Sequence, residues 1–319
     1  MFVPFRMPVM DAKAVAAMGT KSFGQNVADM LELFFSIKVS GWDVEMAIGR
    51  RCCLLKPINS RLQVAELFRN SSGDINRFIH ILSTGIHPDG DLIGKPSEWS
   101  NVGVRIALLA GLMGELIRAG QARPDSPVNL AMAAGDFSGP MAAWYARQMG
   151  MPIGTIICGC NENGGPWELL HHGELDGSIA VQNTSTPECD YAIHPGLERL
   201  IHGACGQEEA VRYTWDIAEG GTYRPEPHIF DSLRQGMFAA VISRVRVETI
   251  TPSVYHTARY VLSPYSALAY GALADFRARG GNGNPTVLLA EKSPLSQAQA
   301  VAKSMNISIA ELRRRLTEV

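Results

Sequence analysis

Val128-Asn129-Leu130-Ala131-Met132-Ala133-Ala134-Gly135-Asp136-Phe137-Ser138-Gly139 is the stretch that decides the fold. The run Val128–Ala133 is what a strand buried on both faces requires. Gly135 to Gly139 is a turn, and Met141–Met149 is a helix stopped by Gly150. Pro140 stands near the first helical position, where its missing N–H is harmless. Ile153–Cys158 repeats the strand pattern, Asn161–Pro166 is a loop, and Trp167–His172 is a short helix closed by Gly173. Strand alternating with helix predicts an α/β fold: a parallel sheet with right-handed crossovers and helices on its faces.

Toward the N-terminus the pattern changes. Asp11 is placed to cap a helix over Ala12–Met18. Ser22 is placed to cap a longer one, with Val27, Met30, Leu31 and Phe34 forming one apolar stripe. Val44–Cys52 makes a third, so residues 1–60 are expected to form a helical N-terminal unit and 61–319 a large α/β domain. Leu62–Phe68 is a strand candidate, Asp74–Leu82 a helix, 87–91 a turn, and Val102–Arg118 a helix buried on several sides. Toward the C-terminus, Ile229–Val241 is expected to be helical, and Val245–Ile250 fits a strand or a helix end. Pro264–Arg279 is a helix, Thr286–Ala290 a central strand, and Leu295–Met305 and Ile309–Val319 are closing helices.

Composition narrows the function. The 319 residues are 46% apolar and 19% charged, with 29 basic and 31 acidic side chains. That balance excludes a polycationic nucleic-acid binder and a mostly disordered chain. No run approaches the roughly 20 uninterrupted apolar residues of a membrane span, and the start lacks the order of a signal peptide. Six cysteines are too few for a disulfide scaffold. The expectation is a soluble cytoplasmic protein with neither nucleic acid nor membrane as partner.

The strand–glycine turn–helix is the leading site candidate. A helix N-terminus presents unpaired amides and a positive dipole end, and Gly135 and Gly139 would let a phosphate approach. Asp136 inside the turn opposes an anion. Cys158-Gly159-Cys160 with His171 and His172 nearby lacks a second cysteine pair at zinc spacing, so no metal site is expected. Neither a Gly-x-Ser-x-Gly elbow nor an HExxH helix occurs. None of the seven lysines stands in a clearly apolar context of the kind that activates an amine.

Taken in chain order, these segments resemble threonine synthase, a pyridoxal-phosphate enzyme of the tryptophan-synthase-β fold type. Phe2-Val3-Pro4 through Met7-Pro8 and the helical run to Cys53 resemble its N-terminal segment. Ala133 to Gly139, with Ala142, Ala146 and Gly150–Ile153, resembles its Pro-Ser/Thr-Gly-Asn-Phe-Gly phosphate loop and following helix. Asn161-Glu162-Asn163 stands where the family has Thr-Asn-x-Asn, and Thr186–Asp190 where it has Ser-Pro-x-Met-Asp. Glu198-Arg199-Leu200 resembles its Glu-Arg-Leu, and Ser263–Ala267 its Pro-His-x-Ala helix start.

The departures bear on activity. The family lysine follows Glu-Leu-Phe; here Glu66-Leu67-Phe68 is present, but Asn76 occupies the lysine position. An amide nitrogen is not nucleophilic and cannot hold the cofactor covalently. Ile79–Leu82 runs almost directly to Asn101–Arg105, which resembles the family's Asn-Ser-Ile-Asn-x-x-Arg helix with altered spacing. The small domain expected between about 83 and 100 is absent, because that stretch is too short to fold as a domain. The family's Thr-Ala-His-Pro, near the pyridine nitrogen, is here Glu291-Lys292-Ser293-Pro294, so Glu291 would face that nitrogen. The resemblance thus implies a catalytically degenerate threonine-synthase-like protein with no catalytic residue. Gly135, Asp136, Phe137, Ser138, Gly139 and Glu291 would be residual cofactor-binding positions. A homo-oligomer or a complex with an intact paralogue is expected to cover the surface the lost lobe exposes. The alternative is an active pyridoxal-phosphate enzyme, with Lys95 or Lys292 as the amine or a partner chain completing the site.

Overall fold

The computed structural model describes residues 7–48, 53–69 and 99–317. Asn76, Lys95, the expected helix at 74–82 and the turn at 87–91 lie outside them. Six strands form the main sheet: β1 (Leu54–Asn59), β2 (Leu62–Glu66), β3 (Val128–Ala133), β4 (Ile153–Cys160), β7 (Met237–Val241) and β8 (Thr286–Ala290), in the order β1-β2-β8-β3-β4-β7. The pairs β2–β8 and β4–β7 are parallel, as βαβ units demand. β1 and β2 form an antiparallel hairpin. The chain divides into two compact units, residues 1–130, 138–154 and 283–292 in one, and 131–137, 155–282 and 293–319 in the other.

In the first unit, Asp11 accepts the Ala14 amide at 2.7 Å and opens α1 (Ala12–Met18). Ser22 accepts from the Gln25 amide and opens α2 (Phe23–Phe35), which buries Val27, Met30 and Leu31. The third helix, α3, is Gly41–Ile48, starting three residues before the expected Val44. Residues 54–59, placed in the helical segment from the sequence, are strand β1. Its alternation is weak because it lies at the sheet edge, where Pro57 is tolerated. The hairpin turns at Asn59, whose Oδ1 accepts the Arg61 amide at 2.9 Å. α1 to α3 share their unit with α4 (Trp99–Arg118), against which α1 and α2 pack. α4 is long and apolar enough to cross a membrane, yet most of it is buried inside the protein, which makes it a core helix. α5 is Ser138–Gln148, starting three residues before the expected Met141.

The second unit adds α6 (Gly165–His172), β5 (Leu175–Asp176), α7 (Leu197–Cys205), α8 (Gln207–Ala218), β6 (Thr222–Tyr223), α9 (Pro227–Arg234), α10 (Arg244–Ala258), α11 (Pro264–Ala278), α12 (Ala298–Ser304) and α13 (Ile309–Thr317). The helix expected at 229–241 is two elements. Gly236, at φ +72°, breaks it, and Met237–Val241 becomes strand β7. Val245–Ile250 resolves as helix within α10. α11 lies directly on β4. A Cβ on Gly159 would overlap the Leu268 carbonyl and come within 2.7 Å of the Ala269 nitrogen. Gly159→Ala is therefore expected to cost about 2 kcal/mol, because backbone must move to admit the methyl. A lower urea midpoint at unchanged slope would show it.

Candidate functional site

The turn between β3 and α5 keeps the strand–turn–helix form, with Gly135 at φ +53° and Phe137 at φ +73°. A phenylalanine in left-handed backbone needs support, and Phe137 is fully buried. Its amide donates to the Ala134 carbonyl at 2.8 Å, closing the turn. The Asp136 carbonyl accepts the Gly196 amide at 3.0 Å. The Gly135 amide is directed at the Cys189 sulfur. Of the two glycines expected to let a phosphate approach, Gly135 thus turns its amide to the protein itself, as does the neighbouring Phe137. Ser138 is buried as the first residue of α5, and Gly139 follows it.

Behind the turn, two resembling motifs meet. Asn161 follows β4 and is buried. The two hydrogens of its Nδ2 are shared among Asp190 Oδ1 at 2.7 Å, Thr184 Oγ1 at 2.8 Å and Thr186 Oγ1 at 3.0 Å. Its Oδ1 accepts the Asn163 amide at 2.9 Å. Asn163 in turn exchanges two bonds of 2.8 Å with the Gln182 backbone, donating through Nδ2 and accepting at Oδ1. Asp190 also accepts from the Thr184 amide and hydroxyl at 2.9 and 2.6 Å. Each donor finds an acceptor, so this is a structural clamp that fixes loop 182–190 and carries Cys189 to Gly135.

In the first unit, a cleft opens where β2 and β8 end, the end at which α/β sheets hold ligands. Leu67, Leu108, Leu109, Leu289, Gly139 and the pair Arg105–Glu291 line it. About 10 Å³ is open to a water-sized sphere, room for about one water. Arg105 Nη1 lies 2.7 Å from Glu291 Oε1, and its Nε donates to Asn101 Oδ1 at 2.9 Å. The Arg105 side chain is 8% exposed and that of Glu291 27%. The partner of Glu291 was not foreseen from the sequence. The available signal was a single arginine inside the apolar run 102–114, because a buried charge requires a counter-charge. Lys292, assigned no apolar context from the sequence, is buried.

The remaining candidates belong to the second unit. Cys158, Cys160 and Cys189 are buried, and burial pushes their thiols well above the ordinary range, away from nucleophilic thiolate. His171 Nε2 bonds the Ala239 carbonyl at 2.9 Å. Among the described residues no group of three or more His, Cys, Asp or Glu is placed to hold a metal.

No family model matches the chain. Its sequence is 26% identical over 175 residues to Threonine synthase-like 1 of Pongo abelii, covering 54% of this chain and 24% of that protein. It is 24% identical over 195 residues to threonine synthase of Eremothecium gossypii, covering 56% of this chain and 38% of that protein. The match therefore spans well under half the length of these curated relatives. The PLP-bound threonine synthase from Brucella melitensis superposes with a TM-score of 0.80 at 16% identity, over 96% of this chain and 85% of that one. The chain is related to threonine synthase in sequence over about half its length and has the threonine synthase fold, that of fold-type II pyridoxal-phosphate enzymes, over nearly all of it.

Proposed function

We propose that this chain is a threonine-synthase-like protein that has lost pyridoxal-phosphate chemistry and retains a binding or assembly role. The carrying observation is the Arg105–Glu291 pair, which sets the carboxylate of Glu291 against a guanidinium in a cleft with room for about one water. A cofactor of this size needs a cavity of roughly 300 Å³ or more, open amides for its phosphate, and a reactive amine. The described residues supply a filled cleft, and a turn whose Gly135 and Phe137 amides are engaged. The sequence places Asn76 at the family lysine position. These residues do not fit the cofactor.

The same reading holds that the small domain is missing and that a second copy or a paralogue covers the surface left behind. It also places the protein in the cytoplasm. The described cysteines are all free thiols, the state a reducing compartment maintains.

A second reading rests on one observation. Lys292 is buried and follows the cleft-lining Glu291 in the chain, and an amine is the group that holds the family cofactor. Incubation with pyridoxal phosphate, borohydride reduction and peptide mapping decides between the two. We expect no stoichiometric lysine adduct. A single adduct at Lys292 or Lys95 near one equivalent would overturn the degenerate reading.

A further inference from the structure

Residues 182–196 back the glycine turn and are anchored at several points. Asn161 and Asn163 hold the first half. Gln297 Nε2 donates to the Ser185 carbonyl at 2.6 Å. Cys189 receives the Gly135 amide, and Gly196 donates to the Asp136 carbonyl. His194 stands between these last two anchors and is completely enclosed. Among the described residues, neither of its ring nitrogens has a hydrogen-bond partner. Its Nδ1 faces Gly165, the first residue of α6, so closely that a Cβ there would lie 3.3 Å away. The Tyr191 ring centre is 5.8 Å from that of the imidazole.

Two orphaned buried nitrogens cost stability that a leucine of similar size would not. What the imidazole adds in exchange is a response to protons. We propose that His194 is a proton-operated latch on segment 184–196. Neutral, it seats the segment against the glycine turn; protonated, it has no counter-charge and no acceptor in its enclosure, and the segment opens.

The surroundings support this. The ionisable groups of the surrounding elements are Glu188, Cys189, Asp190 and Tyr191 on its own segment, Asp136 in the glycine turn, Glu168, His171 and His172 on α6, and Glu198, Arg199, His202 and Cys205 on α7. None of them offsets the enclosure, which alone lowers the pKa of His194 from 6.5 to about 3. The sign follows. The opened histidine binds a proton below pH 6.5, whereas the closed one does not until about pH 3. Between those limits each unit of acidification favours the open segment tenfold.

Hydrogen exchange by mass spectrometry at pH 7.5 and 5.5, corrected for intrinsic exchange rates, tests the latch. The opening constant of 184–196 is expected to rise about tenfold at pH 5.5, while that of α11 stays constant. In His194→Leu the rise is expected to vanish. His194→Gln, neutral at both pH values, serves the same purpose should the leucine variant not fold. Exchange of 184–196 that ignores pH in the wild type overturns the proposal. So does a rise that persists in the folded variant, or one shared equally by α11.

Discussion

Asn161→Ala is expected to destabilise the protein by about 4 kcal/mol, the largest loss among the substitutions considered. The truncation removes one side chain and strands several groups. The Asn163 amide loses its acceptor, Thr186 Oγ1 loses a donor, and Asp190 Oδ1 loses its 2.7 Å contact. Each buried orphan costs about 1–3 kcal/mol, more where a charge is involved. Asp190 keeps the Thr184 amide and hydroxyl, which limits the sum. Asn161→Asp separates hydrogen bonding from shape. It sets a second carboxylate where the amide lay 2.7 Å from Asp190 Oδ1. Two carboxylates at that distance cannot both ionise readily, so the folded state of this variant holds a proton that the unfolded chain releases above pH 4–5. Its stability is therefore expected to fall as pH rises from 5 to 8, whereas the alanine variant acquires no such slope. Urea unfolding of both variants at those two pH values measures the difference.

How much of this was legible in the sequence depends on how far apart the interacting residues lie. Strands Val128–Ala133 and Thr286–Ala290 are apolar but for Asn129 and Thr286, and their ends coincide with β3 and β8. The caps Asp11 and Ser22 act three residues away, within reach of pattern reasoning. Strand β1 was hidden because an edge strand with a proline needs no clear alternation. Strand β7 was hidden because a short apolar run after a helix continues helical periodicity until a left-handed glycine ends it. At the site, the turn 135–139 was visible as glycine spacing, whereas the engagement of its amides was not. For Gly135 that depends on Cys189, and the Asp136 carbonyl likewise meets the Gly196 amide, both more than fifty residues downstream. Asn161-Glu162-Asn163 and Thr186–Asp190 stood out as separate motifs. Only the fold brings them together as one clamp, since hydrogen-bond partners far apart in sequence leave no local pattern.

Arg105→Met is expected to cost about 3 kcal/mol, because it leaves the Glu291 carboxylate facing Leu67, Leu108 and Leu289 without its guanidinium. Breaking a buried pair from one side costs about 3–5 kcal/mol. Glu291 is 27% exposed, so water screens part of the loss and the lower end applies. The double variant Arg105→Met/Glu291→Leu is expected to recover most of that stability, because neither charge then needs desolvation. A coupling energy of about 2 kcal/mol from the four-membered cycle would identify a mutually dependent pair. That result bears on function as well as stability. A pair that apolar residues replace at little cost is not required to hold the fold, and its effect is then to keep the cleft small and its charges matched. The double variant should accordingly present an apolar cleft, while the single Glu291→Leu variant removes one counter-charge and leaves the Arg105 guanidinium, still held by Asn101, to attract an anion. Isothermal titration of Glu291→Leu with pyridoxal phosphate is expected to show weak, salt-sensitive binding that the double variant lacks. Equal binding by both variants would mean that the anion is held elsewhere and that the pair does not close this cleft.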